Sequence, residues 1–271
     1  GELLALGAQG AARARGGPAA ALFTRTDPYD PRYCTVNTLL FPFDSREPIQ
    51  QLHEAGLVLS QWSSWAKGIP EAHISSQVVR GIAERFWGSA AAADMTTLDG
   101  KAEAARRIQH RQLAKESLGV CDWMFPLIDL PHTEDHVGDP SLESQIVSAV
   151  TGRELDEEGL NGIGERVFNL QRAILVREGH EGRASDTIPE QAYTDPLEYE
   201  IQDPQLLMPG KDGEVVCLKG RMVDREAFEK MKDEYYQLRE WDVVTGLQTM
   251  ANLEKLGLKD VAQDLERRGL V

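Results

Sequence analysis

Lys115-Glu116-Ser117-Leu118-Gly119-Val120-Cys121-Asp122-Trp123 is the stretch on which the reading of this chain turns. A helical pattern over 100–118 runs into it, with Ala102, Ala105, Ile108 and Leu113 approximating one face. Gly119 then permits a tight backbone approach that a residue with a Cβ resists. Cys121 follows, and no other cysteine is near it in sequence. Spacing alone reads it as an ordinary buried thiol, because free Cys is among the most buried residue types. Cys34, Cys121 and Cys217 form no Cys-x-x-Cys pair. They exclude a disulfide framework and a complete thiolate metal site, and fit a reducing compartment.

Outward from this stretch the chain reads as mainly α. Residues 75–92 carry a helical period. Upstream, Val36 to Phe43 is a mixed apolar run, and Pro48 fits the first turn of a helix bearing Ile49, Leu52 and His53. Downstream, 126–140 is a loop. A helix over 141–151 is expected, with Ser141 as N-cap and Leu142, Ile146, Val147 and Val150 inward. Another over 158–178 turns Val167, Leu170 and Ile174 inward and stops at Gly179. Four prolines make 180–222 loop-like, and Lys211-Asp212-Gly213 is a turn signal beside a short hairpin over Val215 to Val223. Phe228, Met231, Tyr235 and Leu238, then Leu253, Leu256, Val261 and Leu265, give the last segment its helical spacing. Two domain segments are expected. Residues 1–26, rich in Gly, Ala and Arg, form a truncated edge of a preceding domain or a flexible segment. Residues 27–271 form a C-terminal helical domain.

Hydrophobic residues are 41% and charged residues 27% of the 271, as in a globular protein with a sizeable core. No apolar run approaches the roughly 20 residues that span a bilayer. A net charge of −15 argues against nucleic acid as a partner, since phosphate binding relies on Lys and Arg. It fits a cytoplasmic location. The chain begins with Gly1 and has no secretory signal pattern, which reads as a truncated or processed chain.

Several pieces in order carry a resemblance. Glu116-Ser117-Leu118-Gly119-Val120-Cys121 resembles an Asp-x-x-Gly-Leu-Cys motif, with Glu for Asp and Val for Leu. Phe86-Trp87-Gly88-Ser89 and Asp99-Gly100-Lys101-Ala102 precede it. Gly164-Glu165-Arg166-Val167-Phe168-Asn169-Leu170, Arg177-Glu178-Gly179, Asp186-Thr187-Ile188-Pro189 and Asp233-Glu234-Tyr235-Tyr236-Gln237-Leu238-Arg239 with Trp241-Asp242 follow. Together, over roughly 27–268, they resemble the C-terminal region of the aldehyde:ferredoxin oxidoreductase family. The resemblance implies irregular helical domains with at most a short hairpin. It implies a tungsten or molybdenum bis-pterin cofactor and a [4Fe–4S] cluster, both completed by residues outside this chain. Three cluster ligands would come from a Cys-x-x-Cys-x-x-x-Cys run in another domain, and Cys121 would be the fourth.

On the same basis Glu116 takes the place of an Asp that hydrogen-bonds a pterin ring. The backbone of Leu118, Gly119 and Val120 would add pterin contacts. His53 would handle a proton, work that imidazole suits near neutral pH. Arg46 would anchor an anionic group or a neighbouring domain. The implied partners are the pterin-binding β domain and cysteine-rich second domain of the same enzyme, ferredoxin or an iron–sulfur subunit, and a small-molecule substrate.

The implied activity is oxidation of aldehydes to carboxylic acids with ferredoxin as acceptor, the isolated chain being inactive. A second branch, the tungsten-type benzoyl-CoA reductases, is resembled by Lys115 to Leu118, by Asp122-Trp123-Met124-Phe125-Pro126, and by Arg46-Glu47-Pro48-Ile49 with His53. A third reading, of another class, is a helical interaction module that has lost the redox centre. His132 and His136 have helical ligand spacing, but Pro131 and Gly138-Asp139-Pro140 make their segment a loop. Most of the tryptophans are expected in the core.

Overall fold

Several helix starts in this chain are set by capping side chains. In the computed structural model, which describes residues 30–45, 49–121, 124–125, 127–200 and 203–271, Ser75 accepts from the Val78 N–H at 3.3 Å and opens the helix Ser76–Phe86. Asp156 accepts from Gly159 at 2.8 Å and opens Glu157–Arg177; Asp224 accepts from Ala227 at 2.8 Å and opens Arg225–Leu238. Each satisfies an amide that the first turn leaves without an intrahelical partner. The α-helices are α1 (Asn37–Phe43), α2 (Ile49–Ala66), α3 (Ser76–Phe86), α4 (Lys101–Leu118), α5 (Leu142–Thr151), α6 (Glu157–Arg177), α7 (Gln191–Thr194), α8 (Arg225–Leu238), α9 (Met250–Lys255) and α10 (Lys259–Arg267). The fold is mainly α, as expected.

Strand structure among the described residues is one two-stranded antiparallel sheet, β1 (Leu207–Pro209) and β2 (Val215–Cys217), with Met208 opposite Val216. The hairpin therefore lies upstream of the expected 215–223. Its turn is the anticipated Lys211-Asp212-Gly213, where Gly213 takes φ 83°. The apolar run from Val36 forms α1, whose residues are all buried and whose Pro42 sits one residue before the end.

Helix α4 is the organising element. It packs against α1, α2, α3, α6 and α8. Its crossing with α6 is close because Gly164 faces the His110 backbone: a Cβ at Gly164 would lie 1.9 Å from the His110 carbonyl oxygen. The main core joins Leu39, Phe86, Ile108, Phe168, Phe228 and Tyr235. Burying each of these large side chains stabilises the fold by roughly 1.5–3 kcal/mol. Trp62, Trp87 and Trp241 are buried in it, as expected. A smaller cluster of Leu253, Leu258, Ala262 and Leu265 closes on Ala173 of α6.

Two expected apolar faces are inward only in part: Val167 packs against the main core, and Leu142 and Val147 are half-buried. On α5, Ile146 is 46% and Val150 81% exposed; on α6, Leu170 and Ile174 are also exposed. The reason on α6 is visible in its contacts. The buried side is Leu160, Gly164, Phe168, Asn169, Arg172, Ala173 and Val176, in which glycine, a polar and a charged residue interrupt the apolar positions and weaken the period. Ser141 precedes α5 but makes no capping bond through its side chain. Asp139 instead accepts from the Ser141 N–H and hydroxyl at 2.9 and 2.6 Å.

Candidate functional site

Helix α4 ends because Gly119 turns left-handed, at φ 67° and ψ 27°. Its N–H donates to the Glu116 carbonyl at 3.1 Å, and the Val120 N–H donates to that of Lys115 at 3.4 Å. These bonds satisfy carbonyls that a helix end leaves open. No atom lies within 4 Å of where a Gly119 Cβ would be, so the need for glycine is the backbone angle and not space.

A second turn follows at once. The Cys121 carbonyl accepts from the Met124 and Phe125 N–H groups, each at 3.2 Å. The Phe125 carbonyl in turn accepts from Lys115 Nζ at 3.3 Å, and Lys115 also donates to Gln112 Oε1. Lys115 is buried, so an ammonium inside the fold ties the Cys121 turn back onto α4. The thiol itself is exposed, as are Leu118 and Gly119, while Glu116 and Val120 are half-buried. The bland expectation of a buried Cys121 is thus not met. Cys34 is the buried cysteine, its thiol pushed up to about 12 by burial.

Buried polar contacts hold α4 from behind. Glu54 of α2 pairs with Arg111 of α4, also accepts from Trp87 Nε1 at 2.9 Å, and Arg111 donates to the Phe86 carbonyl at 2.9 Å. On the other side, Arg239 and the Tyr235 hydroxyl both donate to Gln109 Oε1. Arg239 Nη1 also donates to His110 Nε2 at 2.6 Å. Burial first, and then the Arg239 charge, hold His110 well below the usual imidazole range, so it accepts as the neutral ring. Arg172 and Asp186 pair through two bonds of 2.7 and 2.6 Å, joined by the Tyr236 hydroxyl at 2.7 Å. The quoted stretch Tyr235–Arg239 therefore supports α4 directly, and that around Asp186 ties α6 to α8. At the start of α4, buried Lys101 donates to the Asp94 and Asp99 carbonyls at 2.8 and 3.3 Å, and burial lowers its ammonium to about 8.

Beside the Cys121 turn lies an apolar crevice of about 50 Å³. Leu118, Val120, Phe125, Ile146, Val147 and Leu160 line it, over Arg111, Lys115 and Glu143. Burial raises the Glu143 carboxyl above its ordinary range, while its Oε1 accepts from the Leu127 N–H at 3.1 Å.

The sequence-derived site is thus partly assembled. Glu116, Leu118, Gly119, Val120 and Cys121 share one helix end and its turn. His53 is buried in α2, next to Glu54, and so is presented differently from the open Cys121. Arg46 lies outside the described residues, as do residues 1–26, Glu47, Pro48, Asp122, Trp123 and Pro126. His132 and His136 are in a loop, as read. The His136 ring lies 5.5 Å from that of His73, which meets Asp129 at 3.2 Å. Among the described residues no three His, Cys, Asp or Glu side chains converge to hold a metal ion. Lys115, Arg111 and Glu54 were not anticipated, because a single sequence does not show which charged side chains turn inward.

The donor set fits one corner of a cluster. Cys121 offers an accessible thiol on a pinned turn, and a four-iron cluster takes four such ligands. For such a cluster the remaining ligands would come from outside the residues described here. No described helix is long and apolar enough to cross a membrane.

A solved chain from the active site complex BamBC of benzoyl coenzyme A reductase, in complex with 1,5-dienoyl-CoA, has a similar fold. The match has a TM-score of 0.57 at 17% identity, covering 100% of this chain and 38% of that one. This chain thus spans well under half of that relative. Residues 1–258 match the family model described as aldehyde ferredoxin oxidoreductase, domains 2 and 3, and the chain belongs to that family.

Proposed function

We propose that this chain is the C-terminal part of a tungsten or molybdenum bis-pterin, iron–sulfur oxidoreductase. The observation that carries the reading is the Cys121 turn: an exposed thiol held by Gly119 and by buried Lys115 at the end of a braced helix. When bound, the metal–pterin group supplies two-electron chemistry at the substrate, and the cluster supplies one-electron transfer to an acceptor. Cys121 would ligate one iron as thiolate. Glu116 would accept hydrogen bonds from the amino edge of the pterin, and the amides and carbonyls from Leu118 to Cys121 would add backbone contacts. His53 would take up or release a proton, and Arg46 would anchor an anionic group. The rest of the site belongs to the pterin-binding and cysteine-rich parts of the same enzyme, in a cytoplasmic setting.

The substrate reading is an aldehyde, oxidised with water to a carboxylate while two electrons pass singly to ferredoxin. Its support is the family's own description. A second reading, reduction of an aromatic acyl-CoA, is favoured by the solved relative and by the Lys115–Leu118 wording of the motif. Anaerobically prepared full-length enzyme tests both. Aldehyde-dependent reduction of ferredoxin without turnover of benzoyl-CoA selects the first, and the opposite pattern selects the second. Cys121→Ser is expected to lower bound iron and remove the cluster's electron paramagnetic resonance signal while the fold persists. Wild-type enzyme free of iron and of tungsten or molybdenum sinks the redox reading and leaves the interaction module.

A further inference from the structure

Helix α5 carries one charged residue, Glu143, in its first turn. The fold half-buries it and takes its carboxylate out of water. Its Oε1 accepts from the Leu127 N–H at 3.1 Å, six residues past Cys121. Its Oε2 is buried and has no hydrogen-bond partner among the described residues. An ionised carboxylate in that position has lost water at one oxygen and gained no donor for it. The nearest guanidinium is already engaged: Arg111 pairs with Glu54 and donates to the Phe86 carbonyl. The charges facing Glu143 among the described residues are Arg111 and Lys115 of α4, Glu54 of α2 and Glu157 of α6. Two cations thus meet three carboxylates, and the set is neutral when one carboxylate carries a proton. Burial first, and then the Glu54 charge, raise Glu143, which makes it the member to carry that proton. Glu143 also lines the crevice of about 50 Å³ that Leu118, Val120 and Phe125 bound from the Cys121 turn. That is room for water, which needs about 10–15 Å³, and the rim at Leu118 is exposed, so a proton has a way in.

We propose that Glu143 is the proton partner of the cluster at the Cys121 turn, gaining a proton when that cluster gains an electron. The inference rests on the cluster reading above and adds a residue to it. The electron comes from the substrate in one direction of the reaction and from a one-electron iron–sulfur donor in the other. A solvent proton then binds Glu143 Oε2, an O–H bond forms there, and the two added charges cancel. When the electron moves on, that bond breaks and the proton returns to solvent. The cause is Coulombic. An extra negative charge held at Cys121 reaches Glu143 through apolar walls that screen it poorly, and it favours the neutral carboxyl.

The reduction potential of the cluster in the full-length enzyme, followed by electron paramagnetic resonance at a series of pH values, tests this. In the wild type the potential is expected to fall as pH rises through the range in which Glu143 titrates, by up to about 59 mV for each tenfold drop in proton concentration. Glu143→Gln keeps an acceptor for the Leu127 N–H and has no proton to exchange, so its potential is expected to stay level. Glu154→Gln, at an exposed position, is expected to keep the wild-type slope. Redox-difference infrared spectra give a second readout: reduction is expected to raise a carboxylic C=O band in the wild type and not in Glu143→Gln. A level potential in iron-loaded wild type overturns the proposal and leaves the cluster reading standing. So does a slope or a band that survives Glu143→Gln. The wild-type slope and band need no variant, so the proposal can fail even where Glu143→Gln does not load its cluster. Wild-type enzyme without iron removes the cluster reading and this proposal together.

Discussion

Gly164→Ala and Gly162→Ala differ by two positions on α6, and the structure gives them opposite signs. Both replacements remove the cost of glycine in a helix, about 1 kcal/mol in favour of Ala. At Gly162 no atom lies within 4 Å of the new methyl, so that gain stands. At Gly164 the methyl would sit 1.9 Å from the His110 carbonyl oxygen and 2.7 Å from its carbon. That is more than an ångström inside any contact real Cβ atoms make, and the obstacle is backbone of a helix fixed by Arg111 and Gln109. Overpacking of this kind costs about 1–3 kcal/mol or more, and a backbone obstacle belongs at the upper end. Net destabilisation of about 2 kcal/mol is therefore expected for Gly164→Ala, and net stabilisation of about 1 kcal/mol for Gly162→Ala. At roughly 2–4 °C per kcal/mol for a chain of this size, the first falls by about 4–8 °C and the second rises by about 2–4 °C. Urea and thermal unfolding followed by circular dichroism measure both. A Gly164→Ala protein as stable as Gly162→Ala refutes the close α4–α6 crossing.

Lys115→Met keeps the aliphatic stem and removes the bond to the Phe125 carbonyl, a charged hydrogen bond of about 1.5–3 kcal/mol. Amide exchange at Met124 and Phe125 should speed up by about 10- to 100-fold while the global melting point moves little; unchanged exchange removes Lys115 as the tie. The lowered pKa of His110 means that the unfolded chain takes up a proton below about pH 6.5 that the folded chain refuses. Stability should therefore fall as pH drops below that value, by up to about 1.4 kcal/mol per unit, and His110→Gln should flatten this slope. An equal slope in wild type and variant would show that His110 carries none of it. Alkylation of the native chain with iodoacetamide should modify Cys121 and Cys217 and spare Cys34, which is buried with a raised pKa. Rapid native modification of Cys34 would contradict its burial.

The end of the helix at 118 was legible from its periodicity, and the turn at Lys211-Asp212-Gly213 from its residues; Gly119 was read as allowing a close approach, whereas its left-handed angle is what uses the glycine. The support behind the site was not. Arg111, Arg172, Lys232 and Arg239 are charged residues that sequence patterning assigns to solvent, but each is buried against a carboxylate, a carbonyl or a side-chain acceptor. Periodicity identified α6 and missed its orientation. Its close approach to α4 is at Gly164, and its buried Arg172 pairs with Asp186, while the aliphatic Leu170 and Ile174 look outward. On α5 the same period turned Ile146 and Val150 inward, and both are exposed.

The crossing at Gly164 also acts as a fulcrum. α4 has 18 residues and so is a rod of about 27 Å, with His110 near its middle. The helix end at Leu118, which carries the Cys121 turn, lies about 12 Å further along the axis. A tilt of about 5° at the crossing would swing that end by about 1 Å, nearly half of a metal–sulfur bond length. Volume changes at a helix contact with no ligand atom in reach would then be read out as misplacement of the sulfur.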